Sequence, residues 1–258
     1  MSRKEKLIKI LTDLSVSFEK SKLLEYMDFN PKSFVFKQEK ENSNGSVIYN
    51  TLAAYDLEKD KFYMLKELFS SGPLDNEQKI QNLESQKALI MHEEVHRAVI
   101  KSGFLDKYKN DSVISSTFYL DKDHGLPFVL AALKFNGEIS NYSYLNDELV
   151  DFPGAFNSLS QLIQYLQAQT PANIKESLYL LDLTKLKEPA EYIAAKLCYA
   201  GLKFRDGTMF AINSKEVLVY FKKAFYTADL NNSKNDISIN YKKLDCHKLH
   251  IIKKLRRV

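Results

Sequence analysis

Apolar positions along the chain recur mostly at helical spacing. Residues 4–14 (KEKLIKILTDL) place Leu7, Ile10, Leu11 and Leu14 on one stripe, which predicts a short amphipathic helix at the start. Residues 33–37 (SFVFK) and 46–49 (SVIY) read as short extended pieces around the polar turn ENSNG. After Ser70-Ser71-Gly72-Pro73, Asn76 can cap a long helix reaching about Lys101, with Gly103 as its stop. Residues 113–121 predict a strand or a helix end leading into Gly125-Leu126-Pro127. An apolar run follows over 127–135, and a further helix over 156–169 ends at Thr170-Pro171.

The second half continues in the same way. Pro189 suits the first turn of a helix through AEYIAAKLCYAGL, with Gly201 near its end. Asp206-Gly207 sits between apolar alternations and signals a local hairpin. Ser214 can cap a helix over KEVLVYFKKAFYTADL, and residues 231–240 form a polar linker. The last stretch, from Tyr241, interleaves Leu244, Leu249, Ile252 and Leu255 with lysines. The expected fold is therefore mainly α: two helical lobes with a cleft between them, and extended amphipathic arms at both ends. The expected divisions are an N-terminal arm over 1–25, an N-lobe over 26–125, a C-lobe over 126–230 and a C-terminal arm over 231–258. An arm set apart by a polar linker cannot bury its stripe locally, so docking on a neighbouring subunit, closing a ring or filament, is the expected solution.

With 258 residues, 45% hydrophobic and 27% charged, the chain can bury a real core and is not wholly disordered. Eight Gly, six Pro and no Trp argue against a glycine-rich nucleotide cradle. Two cysteines, Cys198 and Cys246, are too few for a disulfide scaffold, and Cys198 lies in an apolar helical stretch where packing is expected. No apolar run reaches a membrane span and the N-terminus lacks a secretory core, so a cytoplasmic protein is expected. Charge is uneven. From Lys185 onward sixteen Lys/Arg face seven Asp/Glu, a balance of +9, which leaves −5 on residues 1–184 of a total of +4. An anionic partner met in the C-terminal third is the reading this suggests.

One motif carries chemistry of its own. His92-Glu93-Glu94-Val95-His96 matches H-E-x-x-H, in which two imidazoles at i and i+4 can share a zinc ion and the intervening Glu can act as base. Zinc-hydrolase helices resemble one another in keeping uncharged residues beside the histidines, because that helix is buried. Glu94 and Arg97 depart from this and suggest a partly exposed face. Ser102 stands where a close third ligand would fall, leaving Asp106 or Glu138 as remote candidates. A metal site is therefore not expected, with a zinc-dependent hydrolase using His92, Glu93 and His96 as the alternative. Asp121-Lys122-Asp123-His124 reads as a solvated turn. No G-x-S-x-G, Walker loop or C-x-x-C occurs, and no cofactor is implied.

The start MSRKEKLIKILTDL, the element FNPKSF (Phe29 to Phe34) with Ser46-Val47-Ile48 beyond it, the Gly125-Leu126-Pro127 triplet, AAKLCYAGLK (Ala194 to Lys203) and NSKEV with KKAFYTADL (Lys222 to Leu230) together resemble the nucleocapsid proteins of orthotospoviruses. The likeness covers about the first 50 residues and 185–230. Pro31 and the acidic HEEVHRAVIK helix depart from the family pattern. The resemblance implies a viral nucleoprotein without enzymatic activity that encapsidates single-stranded genomic RNA and self-assembles through terminal arms. It also implies residence in the virion ribonucleoprotein and contact with a viral polymerase.

Such a protein needs cations for phosphates and aromatic faces for bases, not a base-reading code. The candidates are Arg97 and Lys101 on the long helix, and Lys185, Lys187, Lys196, Lys203, Arg205, Lys222, Lys223 and Tyr226 in the C-lobe. Tyr192, Tyr199 and Phe204 lie among them. A helical interaction protein with neither RNA nor metal is the remaining alternative.

Overall fold

Valine and aromatic residues in the second half pair into a sheet where helical spacing predicts a helix. The computed structural model describes residues 2–17, 22–37, 40–41, 47–48, 52–69, 76–120, 124–135, 156–169, 180–233 and 236–245. Seven helices and three sheets stand among these residues, so the fold is mixed α/β and not mainly α. Two compact units divide the chain, Met1–Gly103 and Phe104–Val258, against an expected boundary near 125.

In the first unit, α1 (Arg3–Ser17) buries Leu7, Ile10, Leu11 and Leu14 within its own unit, packing on the 3-10 turns at Pro31–Ser33 and Lys66–Phe69. The predicted stripe is real, but it is not an extended arm. Strand β1 (Phe34–Lys37) pairs parallel with β5 (Lys61–Leu65), which pairs antiparallel with β4 (Ala53–Asp56). The short pair β2 (Lys40–Glu41) and β3 (Val47–Ile48) lies between them in sequence. Phe62 and Met64 alternate inward from β5, and Phe34 stacks on Phe62 at 4.6 Å between ring centroids. Helix α2 (Asn76–Lys101) crosses β4 and the 3-10 turn at Lys22–Tyr26, and Gly103 ends the helix at φ +67°.

The second unit opens with α3 (Phe104–Tyr108), α4 (Ser112–Leu120) and α5 (Leu126–Lys134), the last packed on the sheet. Helix α6 (Leu159–Ala168) is capped by Ser158, whose side chain accepts from the Gln161 N–H. Strand β6 (Leu180–Asp182), helix α7 (Ala190–Tyr199) and strand β7 (Thr208–Ala211) form a parallel β-α-β unit. Strands β8 (Glu216–Phe221), β9 (Ala224–Asn232) and β10 (Ile237–Leu244) complete a sheet of order β10-β9-β8-β7-β6. One sheet face, with Leu181, Phe210, Leu218, Phe225 and Leu244, packs against α6 and α7 around Leu162, Leu166, Ile193 and Leu197.

Three expectations fail here. KEVLVYFKKAFYTADL is the β8–β9 hairpin: Val217 and Val219 face one side, Leu218 and Tyr220 the other, and Lys222-Lys223 is the two-residue turn. Ser214 caps nothing, since Asn213 Oδ1 accepts from the N–H groups of Lys215 and Glu216 instead. The expected polar linker over 231–240 supplies the end of β9 and the first half of β10, and between them the Ser233 N–H donates to the Asp236 carbonyl at 3.0 Å. Tyr241 to Leu244 extend β10, and Leu244 is buried in this unit's own core, so the C-terminal arm is not an amphipathic helix as far as Asp245. Leu249, Ile252 and Leu255 lie outside the described residues. In the hairpin and in Tyr241 to Leu244, cross-strand pairing of β-branched and aromatic residues overrides a spacing that also fits a helix.

Candidate nucleic-acid interface and histidine pair

The sheet topology sorts the basic candidates into two groups. Lys222 and Lys223 form the tip of the β8–β9 hairpin, and both take positive φ, 46° and 61°. The Lys222 N–H donates to Asp206 Oδ1 and the Gly207 N–H to the Tyr220 carbonyl, each at 2.8 Å, which fastens the Arg205–Gly207 turn beside that tip. Leu244 pairs with Phe225, so Lys242 and Lys243 of β10 end at the same place. Lys203 and Arg205 lie between α7 and β7 and join them. Six cations therefore gather at one end of the sheet, with Asp206 and Asp245 the acids among these segments.

Lys185 and Lys187 do not belong to this group. They follow β6, which runs parallel to β7, and so stand at the opposite end of the sheet. That end also carries Glu216 paired across to Asp229. Burial raises the Glu216 carboxyl above the ordinary range, and the negative charges of Glu191 and Asp229 add to the shift.

Helix α7 presents a second feature. Ile193, Ala194 and Leu197 are buried, while Tyr192, Lys196 and Tyr199 follow at i, i+4 and i+7 on another face. Tyr192 is 44% and Tyr199 70% exposed, unusual for rings of this size, and Lys196 Nζ stands 5.3 Å from the Tyr192 ring centroid. This row leads through Lys203 to the basic end. Phe204 is no stacking platform, because it is buried between Phe210, Tyr220 and Phe225. Tyr226 is half-buried, its ring 6.2 Å from that of Tyr241. Lys242, Lys243 and Tyr241 escape notice in the sequence because their segment reads as helix; in a strand, the β9 register is what brings them to the hairpin tip.

In the first unit, Arg97 and Lys101 are committed elsewhere. Arg97 donates from Nε to Asp60 Oδ1 at 2.9 Å and from Nη2 to Asp60 Oδ2 at 3.1 Å, and from Nη1 to the Tyr26 carbonyl. Lys101 Nζ lies 3.4 Å from Asp60 Oδ2, and Tyr55 Oη donates to Asp60 Oδ1 at 2.7 Å. Asp60 ends the β4–β5 turn at φ +49°, a conformation aspartate tolerates better than most side chains. The guanidinium of Arg97 holds the Asp60 carboxyl well below the usual carboxylate range, against the opposing effect of burial. A fork–fork pair of this kind orients β4–β5 on α2 and leaves little of Arg97 for a phosphate.

The H-E-x-x-H segment lies inside α2, with its histidines partly exposed as expected and the residues between them buried. Met91, Glu93, Glu94 and Val95 are buried and both histidines are half-buried. Glu94 Oε2 accepts the Asp28 N–H at 2.8 Å, and Oε1 has no hydrogen-bond partner among the described residues. Burial pushes the Glu94 carboxyl up to about 8, with the charges of Asp28 and Asp60 adding to the rise and the Asp28 N–H and Arg97 opposing it. One turn of helix brings His92 Nε2 and His96 Nε2 to 3.0 Å, with ring centroids 4.7 Å apart and planes at 77°.

Cys198 is half-buried on α7 and takes part in a disulfide, which the expectation of simple packing did not include. Cys246, the other cysteine of the chain, lies outside the described residues. No helix among the described residues is long and apolar enough to cross a membrane. No family model, curated protein or solved structure matches the chain.

Proposed function

We propose that this chain binds single-stranded RNA without sequence specificity, as a nucleoprotein without enzymatic activity, and that the second unit carries the interface. The observation behind this reading is the convergence of Lys203, Arg205, Lys222, Lys223, Lys242 and Lys243 at one end of the sheet, continued by the exposed Tyr192–Lys196–Tyr199 row. Cations spaced along a surface track phosphates, and exposed tyrosines stack on bases of any identity. The resemblance of 185–230 to orthotospovirus nucleocapsid proteins supports the same reading and falls on these elements.

The hairpin tip adds an energetic argument. A two-residue turn with both central φ positive favours Asn-Gly, and lysine in that conformation costs about 1 kcal/mol relative to glycine. Two adjacent lysines held there against their backbone preference point to a use for their charge. The self-association implied by the resemblance does not draw on the α1 stripe or on Leu244, and Leu249, Ile252 and Leu255 of the expected contact lie outside the described residues. The stripe of α1 and the side chain of Leu244 are already buried within their own units.

The test separates charge from folding. Changing Lys222→Asn together with Lys223→Gly should stabilise the protein in thermal unfolding by about 0.5–1 kcal/mol, because the turn becomes the favoured type. The same variant should bind an unstructured RNA oligonucleotide more weakly. Removing two phosphate contacts should reduce the slope of log K against log salt by about 1.4. Tyr199→Ala should cost about 1–3 kcal/mol of affinity for every base composition alike. Unchanged salt dependence in the turn variant, or binding confined to one sequence, overturns the proposal.

A further inference from the structure

We infer that His92 and His96 form a chelating site for a single divalent transition-metal ion of the zinc, nickel or copper class. The objection raised by the sequence was exposure: charged neighbours at 94 and 97 suggested a helix face open to water. The fold answers it for those two charges, while the histidines themselves are half-buried. Glu94 is buried with its carboxyl on the Asp28 N–H, and Arg97 is turned onto Asp60, so neither charge competes for the space over the histidines as a solvated side chain would.

The geometry then suits a metal. Two nitrogens each about 2.0–2.1 Å from one ion and 3.0 Å from each other subtend about 91–97° at that ion. That angle fits octahedral or tetragonal coordination, and a widening of about 0.3 Å reaches the tetrahedral value preferred by zinc. Neutral imidazole is the ligand these ions favour, whereas calcium and magnesium take oxygen. Preorganisation is supplied by the helix: His92 and His96 are fixed at i and i+4 on a segment whose neighbours Met91, Glu93 and Val95 are buried, so little ordering remains when the ion binds. A lone N–H···N hydrogen bond between two neutral rings accounts for the same distance, and it is the outcome against which the site is tested. Chelation by two histidines is a binding claim; it assigns no hydrolysis to Glu93.

Titration of the metal-free full-length chain with zinc chloride by calorimetry should show one ion per chain, and cobalt(II) should develop a visible absorption band at the same stoichiometry. His92→Asn and His96→Asn should each weaken zinc binding by about tenfold or more, comparable to other losses of direct metal support. Asparagine is chosen to keep a polar group in the half-buried position, and circular dichroism with thermal unfolding in the absence of metal reports whether each variant folds. An absence of zinc and cobalt responses in the folded parent overturns the site. So does an equally tight one-ion response that survives in the folded His92→Asn/His96→Asn double variant, since one of the remaining histidines would then carry it. RNA affinity measured on the same preparations is an independent quantity, and neither result decides the other.

Discussion

Glu94→Gln should stabilise the protein at pH 8 by about 1–3 kcal/mol and leave it nearly unchanged at pH 5. In the folded chain burial raises this carboxyl to about 8, whereas an unfolded glutamate titrates near 4.3. Between those values the native state holds a proton that the unfolded state releases. Stability contributed by this group is therefore complete below about pH 4.3 and is lost progressively as pH rises toward 8, at up to about 1.4 kcal/mol per unit. Glutamine has no proton to lose, so its slope over this window disappears. Its carbonyl can still accept the Asp28 N–H, while its amide faces the side on which Oε1 has no partner among the described residues, an unmade bond that trims the gain. Asp60 works in the opposite direction but elsewhere: its depressed carboxyl contributes stability above about pH 4 that is lost only on further acidification. Denaturant unfolding at pH 5 and pH 8 checks the point. Parallel pH dependences for parent and variant would mean that Glu94 is ionised in the fold.

That buried network explains why the first unit was harder to read than its elements. The long helix is legible to within a residue or so, from near Asn76 to about Lys101, because its apolar spacing and a stop glycine agree, although Asn76 is its first residue and not the cap before it. Pro189 at the start of α7 is legible for the same kind of reason, whereas Ser158, the cap of α6, falls inside the stretch that reads as helix from residue 156. What a helix pattern does not show is which polar residues turn inward. Glu94 and Arg97 looked like solvent markers, yet each has a tertiary partner, the Asp28 N–H and Asp60, that lies 66 and 37 residues away. Non-local partners leave no periodic trace. The β8–β9 hairpin fails for the complementary reason: its first run, β8, is apolar on both faces because both faces of that strand are largely buried, and a continuous apolar run fits either structure. Its turn, Lys222-Lys223, also lacks the Asn or Gly that announces a hairpin. The basic cluster is obscured in turn. Sequence position groups Lys185 and Lys187 with Lys222 and Lys223, whereas the parallel β6–β7 pairing parts them; sequence position leaves Lys242 and Lys243 in an arm, whereas the β9–β10 register brings them in.

Deleting residues 1–17 should unfold the first unit and should not simply release monomers from an oligomer. Had α1 been an arm, its removal would leave a folded, smaller protein that no longer associates. The structure places Leu7, Ile10, Leu11 and Leu14 in the unit's own interior, against segments that include the 3-10 turns at Pro31–Ser33 and Lys66–Phe69. Truncating one such side chain to alanine costs about 2–5 kcal/mol. Four of them together match or exceed the roughly 5–15 kcal/mol by which a domain is stable, before the lost backbone hydrogen bonds of the helix are considered. The milder variant Ile10→Ala should therefore remain folded but lose about 2–5 kcal/mol in chemical denaturation, whereas Ile8→Ala, on the exposed face one position from the stripe, should change stability by under about 0.5 kcal/mol. Circular dichroism and light scattering on the three proteins distinguish the cases. A well-folded, monomeric 18–258 fragment from an oligomeric parent would return α1 to the role of an exchanged arm; a fragment with lost helical signal and exposed hydrophobic surface would show that the first seventeen residues are core.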